Sequence, residues 1–229
     1  NFSLAGVWGH QKKHAARGGA ESTCFDASLL DINSPIPNGQ VWNMTYAPTD
    51  GGFMAPVSQK ELWDRLKYFL DYMLPIAEEN GVELALHPDD PPMPELRQTA
   101  RPELYQKLID MNPNKANKLE LCLGSLQEME SDKPIYDYLD SYLKQERVSY
   151  IHFRNVKGKV PCYDEVFVDE GDIDMFRVLR QLNDSSFDGV LIPDHTPLMT
   201  CDAPWHAGMA YALGYMRAAF QLLEKGVNF

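Results

Sequence analysis

Four times along the chain a short apolar run ends in a polar or titratable residue and is followed by a helical pattern. The runs are "VELALH" (82–87), "LELCLG" (119–124), "VSYIHFRNV" (148–156) and "GVLIPDH" (189–195). Strands that alternate with helices must pair in parallel, because each helix serves as the crossover that returns the chain to the same end of the sheet. This alternation excludes all-α and all-β folds and fixes where functional groups can gather.

The helices between these strands are legible in outline. The first follows residue 57, with Ser58 and Glu61 as a capping box, Val57 and Leu62 as a hydrophobic staple, and an apolar stripe of Leu62, Leu66, Phe69, Leu70 and Met73. Pro75 is expected to kink its end and Gly81 to stop it. Later helices are expected from Pro102, from about Pro134 after a second capping box at Ser125 and Glu128, and after a cap at Asp172 with Phe176, Leu179 and Leu182 buried. The last spans about 204–223, with Gly208 and Ala212 one turn apart so that its backbone can lie close to its neighbours. The opening "NFSLAGVW" also reads as a strand, which makes five βα units.

Two architectures accept such units. An open doubly wound sheet usually carries a glycine-rich phosphate loop after a strand, and neither G-x-G-x-x-G nor a P-loop follows any strand here. A (β/α)8 TIM barrel needs eight units, so the expectation is the C-terminal part of a barrel whose first three units lie upstream. The missing initiator Met agrees with that. With 229 residues and 44% hydrophobic content, one core and a single domain over 1–229 are expected. Residues 9–56 are polar and rich in Gly, Pro and Asn without sustained period, and are expected to form a long excursion on the active-site side.

Charge narrows the partners. Lys+Arg total 21 against 33 Asp+Glu, a formal net charge of -12 that repels phosphate backbones and anionic lipid. An acidic small molecule would need local positive charge, from an arginine or a bound cation. No window approaches the ~18 apolar residues of a membrane span, and the first residues lack a basic region followed by an apolar run. Cys24, Cys122, Cys162 and Cys201 form no C-x-x-C pair, so a reducing cytoplasm is the expected location.

Each of the last four strands delivers one metal-ligand type near its C-terminal end: His87, Cys122, His152 and Asp194. In a parallel barrel these ends share one rim, so residues remote in sequence converge. Two imidazoles, a thiolate and a carboxylate suit a borderline divalent ion. The carboxylate and an open position favour Mn2+ or Fe2+, the thiolate favours Zn2+ or Co2+, and the residues leave that choice open. Arg154 lies two residues beyond His152, on the same strand face, where it could anchor a carboxylate. Asp89 and Asp90, two and three residues after His87, are expected to contact substrate. His195, beside Asp194, and Tyr211 in the last helix are further candidates for chemistry.

Read in order, "ALHPDDPP", "CLGS", "IHFRNV", "DEGDIDM", "DHTP" and "WHAGMAYALGYMRA" resemble the D-mannonate dehydratase family of hexuronate catabolism across essentially the whole chain. The resemblance implies a metal-dependent TIM barrel of xylose-isomerase-like architecture that converts D-mannonate to 2-keto-3-deoxy-D-gluconate with Mn2+ or Fe2+. It places the metal ligands on His87, Cys122, His152 and Asp194, and catalytic groups on His195 and Tyr211, one acting as acid and the other as base. It also implies a small sugar-acid substrate, no nucleic-acid or membrane partner, and leaves a homo-oligomer open. Two other readings are a metal-dependent sugar isomerase or epimerase on the same barrel, and a non-catalytic domain around a closed structural zinc.

Overall fold

The computed structural model describes residues 13–29, 40–41, 44–45, 57–93 and 100–227. The expected opening strand lies outside the described residues, as does most of 30–56. In chain order the strands are β1 (Lys13–Ala15), β2 (Glu21–Asp26), β3 (Gln40–Val41), β4 (Met44–Thr45), β5 (Leu84–Leu86), β6 (Asn117–Cys122), β7 (Val148–His152), β8 (Asn155–Lys159), β9 (Cys162–Val166) and β10 (Val190–Ile192). The helices are α1 (Gln59–Glu79), α2 (Glu103–Met111), α3 (Leu123–Glu128), α4 (Ile135–Lys144), α5 (Met175–Asn183) and α6 (Pro204–Glu224).

The last four expected βα strands form one parallel sheet in the order β10-β7-β6-β5. Its central strand β6 is buried along nearly its whole length, as suits a parallel strand covered on both faces. Helices pack their apolar faces on this sheet through Leu74, Tyr105, Leu108, Leu139, Val178, Leu179 and Ala212, against Leu119, Leu121 and Ile151. The result is a mixed α/β fold built on a parallel sheet. Among the described residues no helix is long and apolar enough to cross a membrane.

Helix α1 starts at the expected capping box: the Ser58 hydroxyl accepts from the Glu61 amide at 3.2 Å, and the Glu61 carboxylate accepts from the Ser58 amide at 3.0 Å. It runs through Pro75 to Glu79, and Gly81 beyond it takes φ 65°. Its buried side is Trp63, Leu70, Leu74 and Ala77, while Phe69 of the expected stripe is 49% exposed. On α6, Gly208 does what its spacing suggested: a Cβ there would meet the Thr196 hydroxyl at 2.3 Å and the Pro197 carbonyl at 2.8 Å.

Three local readings are corrected. Ser125 and Glu128 do not cap a helix, because α3 begins directly at the end of β6 and Cys122 is its cap. Asp172 is not the cap of α5; Asp174 accepts from the Arg177 amide, while Asp172 accepts from the Gly158 amide at 2.7 Å. The run 148–156 is not one strand. It breaks after His152, and β8 pairs with β9 as an antiparallel hairpin that joins β1 and β2 in a second sheet, ordered β1-β2-β9-β8. Part of the expected excursion is therefore regular, since β1 and β2 come from it.

Candidate metal centre

Strand register builds the centre. Leu86 pairs with Leu119, which puts His87 level with Glu120, and Cys122 pairs with His152. Ile192 pairs with His152 from the other side, and Asp194 follows two residues later. Ligand atoms of His87, Cys122 and His152 all lie within 4.8 Å of one another. Asp194 joins them, its Oδ2 3.3 Å from His152 Nδ1. Asp194 holds φ 61°, a left-handed conformation that few non-glycine residues adopt, at the point where its strand ends.

The imidazole of His87 is oriented by its own loop. Nδ1 lies 2.5 Å from the Pro88 carbonyl, so Nδ1 carries the proton and Nε2 faces the cluster. Glu120, absent from the expected ligand set, closes the group from below. Its carboxylate lies 3.3 Å from His87 Nε2 and 3.2 Å from His152 Nδ1, and the residue is fully buried. Glu120 stands two residues before Cys122, so strand alternation puts both on one face; that period was the available signal.

Burial and mutual charge shift every titratable side chain of the group. Burial, then the neighbouring Cys122, pushes Glu120 up to about 8. Burial opposes a Cys122 thiolate, but Arg154, His152 and His87 outweigh it and bring the thiol down to about 5. His152 rises to about 10, burial being overcome by Asp194 and Cys122, and Asp194 is held well below the usual carboxylate range against its burial. Both Glu120 oxygens and His152 Nδ1 are buried without a hydrogen bond. A buried carboxylate without a donor is normally strongly disfavoured. The donor set of imidazole, thiolate and carboxylate around those unsatisfied atoms fits a divalent cation.

Behind this group stands Arg154, 2% exposed. Its guanidinium donates to Glu128 at 2.6 Å, to Asp90 at 2.8 Å and to the Ser125 hydroxyl at 2.9 Å, and its Nε lies 3.1 Å from Asp194. The S-x-x-E pair thus serves Arg154 from within one helix turn. Asp90 is buried as well, accepting also from the Tyr163 hydroxyl at 2.9 Å. Both groups, expected at the substrate, face each other inside the protein; Asp89 sits half-buried on the same loop. Gly124 admits the arginine, since a Cβ there would lie 2.5 Å from its Nη1.

Arg154→Met should therefore leave Asp90, Glu128 and Glu165 without their countercharge. A loss of about 3–5 kcal/mol is expected, read as a lower urea midpoint, and an unchanged midpoint would show the network to be neutral.

His195 lies on the outer side of Asp194, its Nε2 3.7 Å from Asp194 Oδ1. Its Nδ1 is 3.0 Å from both oxygens of Glu165, which with Asp194 raises the imidazole to about 9 against the effect of burial. The Tyr211 hydroxyl, on α6, accepts from Arg17 at 3.2 Å, and its ring packs edge-on against Phe167. Arg17 in turn holds Asp169 at 2.8 Å.

A parallel α/β sheet whose strand ends gather imidazoles, a thiol and buried carboxylates has the make-up of a metal-dependent α/β enzyme. The sequence matches the family described as D-mannonate dehydratase (UxuA) over residues 51–227, and the chain belongs to that family. The mannonate dehydratase of Lactococcus lactis subsp. cremoris (strain MG1363) is 30% identical over 181 residues, covering 74% of this chain and 50% of that protein. That of Streptococcus agalactiae serotype Ia is 26% identical over 228 residues, or 91% of this chain and 64% of the relative. The crystal structure of mannonate dehydratase from Streptococcus suis serotype2 superposes with a TM-score of 0.72 at 26% identity, covering 95% of this chain and 64% of that one. The chain thus spans half to about two thirds of the length of these relatives.

Proposed function

We propose that this protein dehydrates D-mannonate to 2-keto-3-deoxy-D-gluconate, with His87, Cys122, His152 and Asp194 holding a divalent cation, Mn2+ or Fe2+. The observation that carries the reading is the convergence of those ligand atoms beside the unsatisfied Glu120 carboxylate, in a chain of this family. The parallel order of four successive strands and the likeness to the Streptococcus suis structure support a (β/α)8 barrel as the complete architecture.

The chemistry demands such a centre. Removing the proton from C2, beside a carboxylate, builds a second negative charge next to the first. A divalent ion held here would supply the positive charge that offsets it. The protein groups do the proton work. One of His195 and Tyr211 takes the C2 proton, the other gives a proton to the departing C3 hydroxyl, which leaves as water, and the enol tautomerises to the 2-ketone. Glu165 holds the His195 imidazole by Nδ1, leaving Nε2 on the side of Asp194. Arg154 acts through Asp194 and the buried acids, keeping that carboxylate charged and in place. Asp89, on the loop after His87, is the acid proposed to meet substrate hydroxyls.

Incubation with D-mannonate should yield a 2-keto-3-deoxy acid, detected as the product of periodate cleavage, and no interconversion of neutral aldoses and ketoses. Aldose–ketose interconversion without action on D-mannonate would replace this reading with that of a sugar isomerase.

A further inference from the structure

One face of the antiparallel sheet carries a second group of metal-ligating side chains, remote in sequence and separate from the first. His14 on β1, Cys24 on β2 and Asp164 on β9 bring their ligand atoms within 4.8 Å of one another. We infer that they form a second divalent-cation site, of the zinc type, that pins three strands together.

Strand register brings these three to one point. His14 pairs with Ser22, and Cys24 pairs with Asp164. Directly opposed residues of an antiparallel pair point to the same face, and Ser22 and Cys24, two apart on β2, share a face as well. His14, Cys24 and Asp164 therefore stand together on adjacent strands. The other face carries Phe25, Tyr163 and Glu165, and two of these touch the first centre: the Tyr163 hydroxyl donates to Asp90, and Glu165 holds His195. The two groups lie back to back across one sheet.

The chemistry is that of a ligand set rather than of a simple ion pair. His14 Nδ1 lies 2.6 Å from Asp164 Oδ1, and that oxygen is sealed from solvent without a hydrogen bond of good geometry. The Cys24 thiol, 1% exposed, completes the triangle. Imidazole, thiolate and carboxylate bind zinc at about 2.0–2.3 Å, so the His14–Asp164 separation must open by roughly half an ångström or more to admit the ion. His14, whose side chain is 47% exposed, has room to turn and leaves an entry path with a fourth position for water. Binding would release the Cys24 thiol proton to solvent.

The test removes the first centre with Cys122→Ser and His152→Ala, then measures Zn2+ and Co2+ retained by the protein after gel filtration. About one ion per chain should remain, with a thiolate-to-cobalt charge-transfer band; adding Cys24→Ser should abolish both, while adding Cys162→Ser, an exposed thiol outside the group, should change neither. Wild-type protein should likewise fall from two zinc ions to one on Cys24→Ser alone, which covers the case in which the first-centre variant fails to fold. No retained ion before Cys24→Ser is introduced into a folded protein, or retention that survives it, overturns the site and leaves only an ion pair beside a buried thiol.

Discussion

Turnover of D-mannonate is expected to fall by at least about a thousandfold in EDTA and to return on adding Mn2+, because electrostatic stabilisation of the developing dianion is worth several kcal/mol. The structure explains why the protein side chains cannot substitute for the cation. Arg154 is a fixed positive charge beside Asp194, but its guanidinium is enclosed and spent on Glu128, Asp90 and Ser125. His87 and His152 belong to the proposed ligand set, and His152 already faces the Asp194 carboxylate at 3.3 Å. Elemental analysis should follow activity: Cys122→Ser, which removes the thiol at the apex of the group, should lower bound metal sharply. Full turnover in a metal-free preparation would end the proposed mechanism.

Replacing His195 with Asn should lower kcat by about 10²–10⁴, the usual worth of a positioned acid or base, while metal content stays at the wild-type level. Asparagine keeps a polar group near Glu165 but cannot carry a proton between substrate and solvent. The two readouts together decide the role. Lost metal would mean that the imidazole turns toward the ion and belongs with the ligands, and full activity would remove it from the chemistry. Tyr211→Phe is the companion variant, because its hydroxyl is tied to Arg17, a residue of the 9–56 region, and reports on whether that region completes the site.

The comparison between sequence and structure is sharpest around Cys122. Its strand, its depth and its place beside His152 were readable from periodicity, because burial of an alternating apolar run is decided within a few residues. The identity of Ser125 and Glu128 as partners of Arg154 was not. Locally the pair is a good capping box, and only contact with a residue 26 positions away turns it inward. The same holds for Asp172, drawn to Gly158, which leaves Asp174 to cap α5. The hairpin of β8 and β9 escaped for a related reason: "NVKGK" and "CYDEV" are too polar to read as buried strands, and β9 is drawn in by Tyr163 on Asp90 and Glu165 beside Arg154.

The amino-acid order alone determined the alternation of strands and helices, and with it the four strand ends where His87, Cys122, His152 and Asp194 appear, because hydrophobic period acts over one or two turns of chain. The tertiary structure decided which charges meet: the unsatisfied Glu120, the enclosed Arg154, the hold of Glu165 on His195. Those depend on strand register and on the distance between side chains far apart in sequence, where an electrostatic interaction changes several-fold with a few ångströms and with the water excluded.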